Sequence, residues 1–218
     1  MIDGIKAYFR DRDDAAEQLI KILPIDKMSS EPWFILSIST NGISIAKKLA
    51  SVLNAQCSIM FSQKILAPLN KDCEIAIVTE SEEVVIHEEL VKSFEIELDY
   101  IFDMAKKLNK NIISKLIEEY KNNQPLDDLK DKNVLLVDEG LHSGLTMMAC
   151  IKTAINLGAK SVSVAVPVIP DATIGDIESI ADDLYYVYKL PHFVSIKSYY
   201  KELPTIKLEN LPKGNICQ

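Results

Sequence analysis

Short apolar runs rich in β-branched residues recur along the chain at residues 33–38, 57–61, 74–78, 133–137, 161–168 and 184–188, most of them bounded by polar residues or proline. Each has the length of a strand and the character of one buried on both faces. Between them, apolar residues fall at steps of three and four over 13–23, 43–53, 88–122, 143–157 and 172–181, which predicts helices. Strands alternating with helices make this an α/β chain with a doubly wound, Rossmann-like parallel sheet. The 88–122 segment repeats Leu90, Phe94, Leu98, Ile101, Ala105, Leu108, Ile112, Leu116 and Tyr120 on one helix face. That stripe reads as core packing or as the interface of a homodimer.

With 218 residues and 48% hydrophobic composition, one domain over 1–218 is expected. The net charge of −8 comes from acidic and basic residues scattered along the chain, so no basic face points to a nucleic acid polymer. Charges at Asp3, Lys6, Arg10, Asp11 and Arg12 leave no room for a secretory signal, and no run is long and apolar enough for a membrane span. Cys57, Cys73, Cys150 and Cys217 lie far apart with no C-x-x-C pair. Reduced thiols and a cytoplasmic location follow as expectations.

Glycine placement changes the picture. The interval 43–139 holds none, whereas Gly140, Gly144 and Gly158 fall in one predicted strand-loop-helix unit over 133–158. Its strand ends in the acidic pair Asp138 and Glu139, its turn is glycine-rich, and Gly158 stands where a helix C-cap glycine belongs. Ligands of doubly wound sheets bind at the carboxyl ends of the strands, and the helix entered near Ser143 points unpaired N–H groups there. An anion is favoured, with Ser143 and Thr146 as hydroxyl donors. The two carboxylates suit sugar hydroxyls or waters of a Mg2+ ion instead.

Residues 134–147 resemble the ribose-phosphate signature of type I phosphoribosyltransferases, a hydrophobic strand followed by Asp-Asp/Glu-Gly-x-x-Thr/Ser-Gly-x-Thr. Phe9-Arg10-Asp11-Arg12, residues 164–170 and the tail around Phe193 and Tyr199-Tyr200 are similar to a predicted subgroup of that family. The resemblance implies the family's parallel sheet with a small hood. It implies that Asp138 and Glu139 meet the ribose hydroxyls of phosphoribosyl pyrophosphate, or of a nucleoside monophosphate. Gly140, Leu141, His142, Ser143, Gly144 and Leu145 would wrap the 5′-phosphate, with Thr146 adding a hydroxyl. Phe193 would stand near a base-stacking position. The implied reaction is Mg2+-dependent transfer of the phosphoribosyl group to a purine or pyrimidine base, the metal arriving with the ligand and its waters near Asp138 and Glu139.

Two stretches depart from the subgroup. Its pyrophosphate loop resembles Pro-Arg-Gly-Gly, whereas this chain has Ser39, Thr40, Asn41 and Gly42, and Thr40 lacks the cation that meets a diphosphate. Those residues hold a neutral or singly charged group, or cap the helix from Ile43. Of a following Arg-Lys-Leu-Gly only Lys64 survives; it is a third catalytic candidate, its other reading being an ion-paired surface residue. Losses confined to one half of the ligand admit a second function, a weak or inactive sensor of phosphoribosyl pyrophosphate or nucleotide. A serine hydrolase is a third, but Ser143 misses the nucleophile-elbow spacing by one residue.

Overall fold

The structure, a computed structural model, describes residues 7–126, 128–214 and 216–217. Asp3 and Lys6 lie outside them. Asp11 caps the first helix, α1 (Arg12–Ile22), by accepting from the Asp14 amide at 2.9 Å. After a single turn, α2 (Ile25–Met28), come β1 (Trp33–Ser37), α3 (Ile43–Leu53) and β2 (Gln56–Ile59). A hairpin follows, β3 (Ser62–Ala67) and β4 (Asn70–Thr79), then β5 (Val84–Ile86) and the helices α4 (Glu88–Ser93), α5 (Leu98–Leu108) and α6 (Ser114–Lys121). The chain ends in β6 (Asn133–Val137), α7 (Leu145–Asn156), β7 (Ser161–Pro170), α8 (Asp171–Glu178), β8 (Asp183–Leu190) and a tail with two 3-10 turns.

Five strands form the expected parallel sheet in the order β2-β1-β6-β7-β8. Alternation along each strand divides the core. Ile35, Leu135 and Ala165 pack on the face covered by α1 and α3, whereas Leu36, Val134 and Val164 pack on the face covered by α7 and α8. Strands buried on both sides must be apolar throughout, which is why they read as continuous runs.

The hood corrects the sequence reading in two places. Residues 74–78 belong to β4 of a separate antiparallel sheet, β3-β4-β5, and not to the parallel one. Neither β3 nor β5 was expected; Pro68 and Leu69 form the turn of the β3–β4 hairpin. An apolar run carries no mark of its partner's direction. The stripe over 88–122 is also no single helix. It breaks after α4, where Glu95 takes a left-handed φ of 50°, and passes through a π-helical turn at Asn109–Ile113. Of its residues Ile101, Ala105 and Tyr120 do bury against the hood sheet, whereas Ile112 is exposed and its neighbour Ile113 takes the buried place.

A buried ion pair fixes the hood's base. Glu80 Oε1 lies 2.6 Å from Lys121 Nζ and accepts from the Leu126 amide at 2.7 Å, while Oε2 accepts from the Phe61 amide at 2.8 Å. The thiols also depart from expectation: Cys57 and Cys217 are joined in a disulfide, because the tail returns to β2 and brings positions 160 residues apart to a Cα separation of 5.7 Å. Cys73 and Cys150 are free. Among the described residues no helix is long and apolar enough to cross a membrane.

Candidate active site

From the neighbouring strands β1 and β6, in register at Ser37 and Val137, the sheet continues outward to β2 on one side and to β7 and β8 on the other. Their carboxyl ends therefore open a crevice at the point where strand order reverses, the place such sheets bind ligands. Two loops leave it, 38–42 and 138–144, and the hood closes it into a cavity of about 710 Å³. Gly42 permits the approach of the two loops: a Cβ there would stand 2.8 Å from Ser37 Oγ and 2.9 Å from the Asp138 Cα. A hollow of similar size, about 720 Å³, lies between α3, β2 and the end of α6, but no carboxylate among the described residues lines it.

Asp138 is half-buried and faces the cavity. Its Oδ1 accepts from Ser39 Oγ at 2.5 Å and from the Glu139 amide at 2.8 Å. Burial pushes this carboxyl up to about 7, against those two hydrogen bonds and with help from the charge of Glu139. Glu139 is 7% exposed, and burial raises its pKa as well, opposed by the Arg12 guanidinium. Arg12 Nε and Nη2 reach Glu139 Oε2 at 2.8 and 2.6 Å. Glu139 Oε1 takes no donor among the described residues.

The following turn brings the expected phosphate donors together, with one correction. The amide of Leu141 donates to Val168 O at 3.0 Å, so that amide is not open to a ligand, although Leu141 lines the cavity. The amides of His142, Ser143, Gly144 and Thr146 have no acceptor among the described residues, and that of Leu145 has only a 3.4 Å contact with Ser143 Oγ. These groups surround the N-terminus of α7, whose dipole adds to their attraction for an anion. Gly144 is required: φ is +76° and a Cβ would collide with Thr173 Cγ2. Ser143 Oγ bonds no histidine or carboxylate among the described residues, so it lacks the base a serine nucleophile needs.

The loop after β1 is largely engaged within the protein. Ser39 Oγ serves Asp138 and accepts from the Gly42 amide at 3.1 Å, and Asn41 Oδ1 accepts from the Ile206 amide at 2.9 Å. Thr40 lines the cavity. Lys64 stands on the hood wall, but its Nζ lies 2.6 Å from Glu74 Oε2 on the paired strand, so its charge is already matched. Phe193 packs among Tyr199 and the ring of His142, with centroids 5.9 and 5.2 Å away, and does not line the cavity; Ile196 does. The described residues hold no cluster of three or more His, Cys, Asp or Glu that could hold a metal ion.

Sequence reasoning gave Arg12 and Tyr200 no role in the site. Arg12 stood in the quoted Phe9–Arg12 stretch, but nothing local ties it to a carboxylate 127 positions away. Tyr200 donates its hydroxyl to Glu139 O at 2.6 Å, again across distant segments.

Among known proteins, the model of the phosphoribosyl transferase domain matches residues 5–201. Two curated relatives from Mycobacterium tuberculosis strains CDC 1551 / Oshkosh and H37Rv, each named "Putative phosphoribosyl transferase", are 23% identical over 176 residues, or 81% of this chain. The chain spans only 39% of their length. The crystal structure of TT1426 from Thermus thermophilus superposes with a TM-score of 0.73 at 21% identity, covering 93% of this chain and 94% of that one. The shared fold, the acidic pair beside a turn of open amides and a match running from residue 5 to 201 agree: the chain belongs to the phosphoribosyl transferase domain family.

Proposed function

We propose that this protein transfers the phosphoribosyl group of phosphoribosyl pyrophosphate to a ring nitrogen of a purine or pyrimidine base. One observation supports this above the others: a carboxylate pair, Glu139 buried and Asp138 half-buried, adjoins a turn whose amides at 142–144 and 146 are open, in a cavity of about 710 Å³ at the switch point. The amides and the hydroxyls of Ser143 and Thr146 hold the 5′-phosphate, while Asp138 and Glu139 accept from the ribose hydroxyls and from waters of a ligand-borne Mg2+. When bound, that ion offsets the charge of the departing diphosphate. The nitrogen's electron pair forms the new bond to C1 as the C1–O pair leaves with diphosphate, the ring proton of the base is lost to water, and fixed donors stabilise the charge that develops.

A second reading, a nucleotide sensor with little or no turnover, is favoured by the loop after β1, where Ser39 Oγ, the Gly42 amide and Asn41 Oδ1 all have protein partners. Calorimetry and thermal shift with phosphoribosyl pyrophosphate and nucleoside monophosphates, with and without Mg2+, test both. Saturable binding of a 5′-monophosphate is expected, stabilising the fold by about 2.7 kcal/mol at a hundredfold excess over Kd. Absence of binding by either ligand class would remove both readings. Thr40→Arg with Asn41→Gly separates them, because it raises turnover only where turnover exists.

The assembly we propose is a homodimer. Leu98 and Phe102, 53% and 45% exposed on α5, supply an apolar surface for it. A monomer mass by light scattering at micromolar concentration would refute the dimer.

A further inference from the structure

Arg12 is 7% exposed in the first turn of α1, and all three of its guanidinium nitrogens are engaged. Two of them hold Glu139 Oε2, as described, and the third, Nη1, donates to Pro204 O at 2.7 Å. One rigid fork thus joins the acidic pair to the C-terminal tail, a geometry that the point charge of a lysine cannot reproduce. The tail is fastened to the site twice more, by the Tyr200 hydroxyl on Glu139 O and by the Ile206 amide on Asn41 Oδ1. Residues 200–206 are therefore pinned to both loops of the crevice, and Leu208 just beyond them lines the cavity. Arg12 itself does not line it, so it acts on a ligand only through what it holds.

We propose that Arg12 is a positioning residue that sets the Glu139 carboxylate and the C-terminal tail as one unit, so that the acidic pair is in place only while the tail is docked. The inference rests on the reading of the cavity as a 5′-phosphoribosyl site, and its test separates the two. Inorganic phosphate probes the turn after β6 alone; ribose 5-phosphate probes the turn together with the carboxylates. Calorimetry of Arg12→Ala and Arg12→Lys with both probes is paired with trypsin cleavage at Lys201 and Lys207, which requires the tail backbone to leave its docked path.

Arg12→Ala is expected to weaken ribose 5-phosphate about tenfold or more while phosphate affinity stays within about twofold, as loss of a charge-assisted hydrogen bond to one part of the ligand requires. Tail cleavage accelerates in the same variant, and Arg12→Lys, which keeps the charge but not the fork, falls between it and the parent in both readouts. Loss of both probes in equal measure, or tail cleavage at the parental rate in either variant, overturns the proposal. If the parent bound neither probe, the functional reading would fall on its own, and the cleavage rates of the two variants would still decide for or against Arg12. Should Arg12→Ala not fold, Arg12→Lys alone decides by the same two readouts.

Discussion

Asp138→Asn is expected to become more stable than the parent as pH rises from about 4 to about 7, and to show no advantage below that window. The folded chain partly buries the Asp138 carboxyl beside Glu139, raising its pKa from 3.8 to about 7, whereas an unfolded chain ionises it at the ordinary value. Over this window the native state binds more protons than the unfolded state, so stability falls as pH rises and levels off once both are ionised. A full shift corresponds to about 4 kcal/mol; because part of Asp138 meets the water of the cavity, a loss of about 2–3 kcal/mol is expected. Asparagine keeps the oxygen that accepts from Ser39 and the Glu139 amide but carries no charge. Denaturant midpoints measured for both proteins across this range check it, and parallel curves would sink the argument. Such a cost is typical of a site kept for binding at the expense of stability.

Glu80→Ala carries the other large effect, a destabilisation of about 2–4 kcal/mol. The side chain of Glu80 is fully buried, and it partners Lys121 and the amides of Phe61 and Leu126. Its removal takes one partner from Lys121 and leaves the Phe61 and Leu126 amides without this acceptor, and burying an amide without compensation is costly. The damage falls on the hood, because Phe61 precedes β3, Glu80 follows β4 and Lys121 ends α6. Urea unfolding gives the measurement. A change below about 1 kcal/mol would mean that water reaches the pair and that it behaves as a surface salt bridge.

What a short stretch of chain encodes is legible in the residues themselves. The run of β6, the glycines at 140 and 144, and the apolar face of α7 lie within one local unit, so the acidic pair, the turn and the helix N-terminus could be placed from residue types and spacing alone. The strands of the parallel sheet were readable for the same reason, since burial on both faces demands uninterrupted apolar residues. Even there the backbone partner was hidden: Leu141 looked like any loop residue, and only its position beside β7 shows that its amide belongs to Val168.

Tertiary structure decided whatever depends on which distant segments meet. The direction of β4, the pairing of Lys64 with Glu74, the return of Cys217 to Cys57 and the grip of Arg12 on Glu139 all join positions that local periodicity cannot relate. Hydrophobic pattern reports how a residue is buried, because burial repeats with the helix or strand period. It does not report against what. That choice is made when β1 and β6 pair across nearly a hundred residues and bring two loops, a helix start and the tail to one crevice.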